Sequence, residues 1–328
     1  MKITVIGDGG WGTAIGLLLH SYGHEITIWG PFSEYLEEIR SRRENIRFLP
    51  GVPIPDALRW TSDPVEAATG AEAVVLASPS KFYAGVCEKF KGLIPGRALI
   101  VSLTKGLCEA THCRMSELAK DILGLDAIAV LSGPSHAEEV ARQIPTAVVS
   151  ASEDIAVARR VQQLFNGPLF RVYTSTDPLG VEIGGAVKNV IAIAVGASDG
   201  LGFGDNTRAA LITRGLAEIT RFGIALGACP GTFAGLSGVG DLIVTCTSRH
   251  SRNHSVGERL GRGEPIDAIV GGMKMVAEGV WNAKVIHTLA RTYGVSMPIT
   301  DTVYGLCYEK LAAATAVGAL MCRDMKAE

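Results

Sequence analysis

The sequence predicts an α/β protein: a doubly wound, mostly parallel sheet over the first half, followed by a mainly α-helical second domain. Three observations carry this. Short apolar runs alternate with helical segments through the first half, and a glycine-rich turn joins the first run directly to the first helix. Beyond about Pro178, strand-like runs give way to long segments rich in Ala, Leu, Ile and Gly at helical spacing. A chain of 328 residues exceeds one typical core, so two domains are expected, 1–179 and 180–328.

Taken in order, Ile3–Ile6 reads as a strand, Trp11–Tyr22 as a helix and Glu25–Trp29 as a second strand. An irregular stretch holding Pro50, Pro53 and Pro55 follows. Ala73–Ala77, Ala98–Ser102 and Ala127–Leu131 are short buried strands, with helices near 80–92 and 112–122 between them. Thr146–Ala151 and Leu169–Tyr173 are further strands around a helix at 154–165. Short apolar strands separated by helices imply helices on both faces of the sheet. In the second half, helical spacing covers 179–197, 207–226, 255–262, 276–293 and 301–320.

Composition narrows the class. Hydrophobic residues make up 47% and charged residues 20%, which suits a packed globular chain. A net charge of -2 gives no general attraction to nucleic acid or anionic lipid, so neither partner is expected. Membrane insertion is not expected either. The apolar tail Leu311–Cys322 is twelve residues long, short of the roughly 18–20 that a bilayer needs. The first residues run straight into a strand rather than a cleavable leader, and the seven cysteines lack a CxxC pair. Free thiols in a reducing cytoplasm fit both, and no metal site is expected.

Gly7-Asp8-Gly9-Gly10-Trp11-Gly12 fits G-x-G-x-x-G after a strand and at a helix start. Gly7 permits the tight turn, Gly9 the approach of backbone to a pyrophosphate, and Gly12 close helix–strand packing. With the helix N-terminus facing the anion, this is a Rossmann-type dinucleotide site. The second strand ends in Gly30-Pro31-Phe32-Ser33, without the acid that usually binds the ribose 2′-OH in NAD-selective folds. Glu34 is nearby, and no arginine stands there. NADPH is therefore expected to be accepted, with modest discrimination against NADH. Asp8, inside the turn, is expected to point to solvent.

Leu103-Thr104-Lys105-Gly106 and Gly133-Pro134-Ser135-His136-Ala137 each follow a strand end, where open α/β sheets bind ligands. Lys105 could instead be a surface lysine, and Ser135 a helix N-cap. The helix around Val181–Ala194 is apolar nearly all round, hence buried, and Lys188 and Asn189 interrupt it. A buried ammonium is costly unless paired, and burial favours proton exchange. Lys188 is thus a catalytic candidate, or else a structural partner of Glu182 or another acid. Asp241, within Ser237–Cys246, could orient that lysine or merely cap a helix. Ser248-Arg249-His250-Ser251-Arg252-Asn253-His254 is a local cationic patch suited to a phosphate dianion, or a solvated loop.

These residues resemble the NAD(P)-dependent glycerol-3-phosphate dehydrogenases over essentially the whole chain. The resemblance rests on Gly7-Asp8-Gly9-Gly10-Trp11-Gly12-Thr13-Ala14, Thr104-Lys105-Gly106, Ser132-Gly133-Pro134-Ser135, Val187-Lys188-Asn189, Gly240-Asp241-Leu242 with Thr245-Cys246, Ser251-Arg252-Asn253 and Val276-Ala277-Glu278-Gly279. Ser251-Arg252-Asn253 stands in the bacterial-type form. The resemblance implies reversible reduction of dihydroxyacetone phosphate to sn-glycerol 3-phosphate by NADPH or NADH, feeding glycerophospholipid synthesis. It implies Lys188 as proton donor and acceptor, with Lys105, Asn189, Asp241 and Thr245 completing the reaction centre. Gly133, Ser135, Ser251, Arg252 and Asn253 would hold substrate, chiefly its phosphate, beside Lys105, Lys188 and Asp241. Gly7, Gly9, Gly10, Trp11, Gly12, Lys105, Ala137, Arg252, Val276 and Glu278 would contact the cofactor. A homodimer is compatible with such a helical domain. The family usually has Ala at the Asp8 position and often a basic residue near Pro31, which touches cofactor preference.

Two other readings share the architecture. A ketopantoate reductase or β-hydroxyacid dehydrogenase also carries a helix lysine, and Ser251-Arg252-Asn253 argues against it. A non-catalytic NAD(P) sensor would not need the polar set of the second domain.

Overall fold

The structure, a computed structural model, describes residues 1–273 and 275–316. It separates into two compact units, residues 1–108 with 113–182, and residues 109–112 with the described residues from Ile183 onward.

The first unit contains β1 (Lys2–Ile6), α1 (Gly10–Ser21), β2 (Glu25–Trp29), α2 (Ser33–Arg42), β3 (Glu44–Asn45), β4 (Leu49–Pro53), β5 (Arg59–Thr61), α3 (Pro64–Ala68), β6 (Ala73–Leu76), α4 (Ser80–Phe90), β7 (Leu99–Ser102), α5 (Met115–Leu123), β8 (Ala129–Ser132), α6 (Ala137–Ala141), β9 (Thr146–Ala151), α7 (Ile155–Phe165) and β10 (Phe170–Ser175). Eight strands form one sheet in the order β10-β9-β8-β7-β6-β1-β2-β5. Pairing is parallel throughout except between β8 and β9.

Alternation along each strand sends side chains to both faces, and both are covered. Ile3, Val5, Ile26, Ile28, Val75 and Val101 pack under α1, α2 and α7. Ile6, Trp29, Val74, Leu76 and Ile100 pack under α3, α4 and α5. This two-sided burial is why the strands read as continuous apolar runs. The chain winds from β1 outward through β2 to β5, then returns to β6 on the other side of β1. That reversal at the carboxyl ends of β1 and β6 is the topological switch point where such sheets take their ligands.

Between Pro50 and Pro55 the irregular stretch is more ordered than its prolines suggest. β3 and β4 form an antiparallel hairpin, and β5 extends the main sheet. β4 pairs only with β3, so its prolines remove no bond from the main sheet.

The remaining α-helices are α8 (Pro178–Gly200), α9 (Asp205–Ala225), α10 (Asp241–Thr247), α11 (Arg252–Gly261), α12 (Ile266–Gly271), α13 (Glu278–Thr292) and α14 (Pro298–Tyr308). The division between units falls within α8, after Glu182. α8 is long and apolar enough to cross a membrane, and its apolar window is 94% buried inside the protein. Its neighbours within the second unit explain that composition. Gly215 of α9 meets Ile191, Gly257 of α11 meets Ile193, and Gly279 of α13 meets Asn189. The expected helix over 301–320 ends at Tyr308 instead, with Lys310 in a left-handed conformation. Residues 317–320 of that expectation lie outside the described residues.

Candidate functional site

In the first unit the glycine turn joins β1 to α1 at the switch point. Gly7 has φ +134°, and a Cβ on Gly12 would stand 2.0 Å from the Gly7 carbonyl oxygen, so this turn admits no side chain there. A Cβ on Gly9 would meet nothing within 4 Å, which leaves its backbone open to a ligand. The Thr13 amide is bonded back to the Gly9 carbonyl. The amides ahead of it form the N-terminus of α1, whose cap Gly9 offers no side-chain acceptor. An oriented, uncapped helix N-terminus suits a pyrophosphate. Ala137 lies 3.8 Å from the Cβ position of Gly10, which brings α6 beside the turn.

Asp8 does not point to solvent. It lies at the foot of Gly30, and its Oδ2 is buried without a hydrogen-bond partner among the described residues. Burial pushes its carboxyl up to about 6, against the opposing effects of a backbone hydrogen bond and the Arg47 charge.

Further along the same sheet, half-buried Lys105 follows β7. Its Nζ donates to the Gly133 carbonyl at 2.8 Å and lies 3.4 Å from Ser135 Oγ. Ser135 donates to the same carbonyl at 2.9 Å and does not cap α6, whose N-cap is His136. The two strand-end motifs are therefore one cluster.

In the second unit Lys188 is buried in α8 and reaches two groups of α10. Its Nζ donates to Asp241 Oδ1 at 2.5 Å and to Thr245 Oγ1 at 2.7 Å. Thr245 in turn donates to the Asp241 carbonyl at 2.6 Å. Asp241 thus serves as the lysine's partner. Glu182, the other candidate, is held by Arg114 and Ser116 within the first unit. Cys246 is no competing nucleophile. Burial pushes its thiol up to about 12, with the Lys188 charge working the other way.

An amide relay links three helices of this unit. Asn253 Nδ2 donates to Asn189 Oδ1, and the Gly279 amide donates to Asn253 Oδ1, both at 2.9 Å. Ser251 caps α11 by accepting from the His254 amide. Arg252, exposed on the first turn, donates through Nη1 to the Val276 carbonyl at 2.8 Å, and Glu278 opens α13 just beyond. His254 is bonded to Asp199, which also pairs with Arg208. Among the described residues, no group of three or more His, Cys, Asp or Glu could hold a metal ion.

Sequence reasoning missed Arg47, Tyr35 and Asn45 around Asp8, since they come from α2 and the hairpin far along the chain. It also missed that Asn189 and Asn253 form a pair.

A doubly wound sheet with this turn, followed by a helical unit with a buried lysine, defines the class of dinucleotide-dependent oxidoreductases. Comparison with known proteins narrows the class. Residues 2–158 match the NAD-dependent glycerol-3-phosphate dehydrogenase N-terminus and residues 177–318 the corresponding C-terminus. The chain is 51% identical to a glycerol-3-phosphate dehydrogenase of the NAD(P)+ type from Geobacter sulfurreducens and 50% identical to one from Citrifermentans bemidjiense, each alignment covering 100% of this chain and 98% of the relative. The crystal structure of glycerol-3-phosphate dehydrogenase from Coxiella burnetii superposes with a TM-score of 0.94 at 37% identity, covering 98% of this chain and 99% of that one. The chain belongs to the NAD-dependent glycerol-3-phosphate dehydrogenase family.

Proposed function

We propose that this protein catalyses the reversible reduction of dihydroxyacetone phosphate to sn-glycerol 3-phosphate, with NADH or NADPH. The observation that carries the reading is the buried Lys188 held by Asp241 and Thr245, on the unit that also presents Ser251, Arg252 and Asn253. Family membership supplies the substrate.

Residues 1–179 bind the dinucleotide, and 180–328 bind substrate and perform proton transfer. Gly7, Gly9, Gly10, Trp11 and Gly12 cradle the pyrophosphate at the start of α1; Lys105, Ala137, Arg252, Val276 and Glu278 complete the cofactor contacts. When bound, the dinucleotide supplies the hydride that adds to the substrate's carbonyl carbon. Lys188 gives its proton to the carbonyl oxygen, and the reverse reaction returns it. Asp241 and Thr245 fix the position of Nζ. Asn189, tied through Asn253 to α13, and Lys105, tied to Gly133 and Ser135, orient substrate hydroxyls. Arg252 and the N-terminus of α11 hold the phosphate dianion with Ser251 and Asn253. The product suits glycerophospholipid synthesis in the cytoplasm, and a homodimer is the assembly we infer.

The test is a steady-state assay with dihydroxyacetone phosphate and each cofactor. Turnover is expected with the phosphorylated ketone and not with ketopantoate or β-oxoacids. Oxidation of the reduced cofactor with none of these substrates would favour the sensor reading.

A further inference from the structure

We propose that Asp8 sets the cofactor preference of this chain, acting from the glycine turn as the acid at the end of the second strand acts in NAD-selective folds. On this view Asp8 accepts the adenosine-ribose hydroxyls of NADH and repels the 2′-phosphate of NADPH. The inference rests on the dinucleotide reading above and deepens it.

The geometry is local. β2 ends at Trp29, and Gly30 carries no side chain. A Cβ placed on Gly30 would lie 2.5 Å from Asp8 Oδ2, 2.6 Å from its Cγ and 2.8 Å from its Cβ. The carboxylate therefore fills the space in which a side chain at position 30 would begin. Along the sequence Asp8 stands in the first turn; in space it stands at the end of the second strand. That end is where a ribose-binding acid is found in this fold.

The chemistry of the group agrees. Oδ2 is buried and has no hydrogen-bond partner among the described residues. A vicinal diol offers the carboxylate O–H donors, whereas a phosphate dianion offers only like charge. The turn is also braced. Asn45 Nδ2 donates to the Asp8 carbonyl at 2.8 Å and to Thr13 Oγ1 at 2.7 Å, and Tyr35 donates its hydroxyl to Asn45 Oδ1 at 2.5 Å. The backbone cannot swing the carboxylate away without breaking that set.

The charged and titratable groups facing Asp8 are Arg47, from the β3–β4 hairpin, and Tyr35, from α2. Arg47 lies 4.1 Å above the Tyr35 ring and pairs with Glu38 at 3.1 Å. It moderates the negative charge at this corner but is itself engaged. With its carboxyl pushed up to about 6 by burial, Asp8 is mostly ionised at pH 8 and mostly neutral at pH 5. Discrimination against NADPH therefore weakens as pH falls.

The experiment is calorimetric titration of the full-length protein with NADH and with NADPH, without substrate, for the wild type, Asp8→Asn and Asp8→Ala. The wild type is expected to bind NADH about tenfold tighter or more, and Asp8→Asn to remove most of that ratio by tightening NADPH. Asp8→Ala is expected to weaken NADH as well, having lost the acceptor. Between pH 8 and pH 5 the wild-type ratio should narrow more than that of Asp8→Asn, in which only the 2′-phosphate titrates. A wild type that binds NADPH as tightly as NADH overturns the inference, whatever the variants do. So does an unchanged ratio in Asp8→Asn when both nucleotides bind. Binding of neither nucleotide to the folded wild type would instead overturn the dinucleotide reading itself, and this inference with it.

Discussion

Lys188 and Arg252 sit on the same unit in opposite settings, so their loss should read out differently. Lys188 is 5% exposed, bonded to Asp241 and Thr245. Lys188→Ala is expected to lower kcat by about 10²-fold or more, while NADH binding by the first unit stays near normal. Removing one partner of a buried pair also destabilises, by about 3–5 kcal/mol. The double variant Lys188→Met/Asp241→Asn separates the effects: stability should largely return and turnover should not. Recovery of both would show the lysine to be structural. Arg252 is exposed and donates to the Val276 carbonyl. Arg252→Ala is expected to raise KM for dihydroxyacetone phosphate roughly 10- to 150-fold, the equivalent of about 1.5–3 kcal/mol for a charge-assisted contact. An unchanged KM and kcat would leave the basic patch a solvated loop. Both residues were legible in the sequence by type and setting, one as a cation inside an apolar helix, the other within a cationic cluster. Asp8 was not, because its meaning lies in Gly30, the residue it covers across the sheet.

At the level of elements, the second unit depends on helices meeting backbone to backbone. A Cβ on Gly196 of α8 would stand 2.0 Å from the His254 carbonyl of α11, and one on Gly257 of α11 would stand 2.0 Å from the Ile193 carbonyl of α8. Gly200 and Gly261 repeat the pattern one turn on. This crossing places Asn253 against Asn189. Gly196→Ala is expected to destabilise by at least about 1–3 kcal/mol, as overpacking does, and to raise substrate KM by displacing α11. Urea unfolding and steady-state kinetics check both; a stable variant with normal KM would mean that the helices adjust freely. Apolarity all round made the burial of α8 legible, but not its partner, since hydrophobic periodicity records a buried face and not the closeness of approach. Glu218 of α9 was not legible either. It is buried and accepts the Ile299 and Thr300 amides at the start of α14, yet burial outweighs those bonds and pushes its carboxyl up to about 7. Its native pKa lies above that of an unfolded glutamate, so the native state binds more protons between about pH 4.5 and 7. Its contribution is fully present below that window and is lost as pH rises through it. Glu218→Gln should flatten the fall in Tm across this range; an unaltered slope would assign the pH dependence elsewhere.

Across the whole molecule, the alternation of apolar runs and helical segments made the wound sheet legible because burial on both faces keeps most strand residues apolar. The direction of β9 and the β3–β4 hairpin were hidden, because strand direction and edge pairing depend on connections rather than on side-chain pattern. The glycine turn was legible for the opposite reason: its constraint is backbone geometry, which only glycine satisfies at Gly7 and Gly12. That constraint leads to a prediction about the stability of the protein as a whole. A ligand that binds only the native state adds RT ln(1 + [L]/Kd), or about 2.7 kcal/mol at 100 times Kd. For a unit of the first one's size that corresponds to a rise in Tm of about 5–10 °C. NADH at such an excess, without substrate, is expected to produce this rise, and dialysis to reverse it. Hydrogen exchange should slow over residues 7–13, while the far end of α9 and the body of α14 keep their free-state rates. Protection absent from the turn, or a rise in Tm from adenosine alone at equal saturation with the turn still exchanging freely, would show that the pyrophosphate is not held at the start of α1.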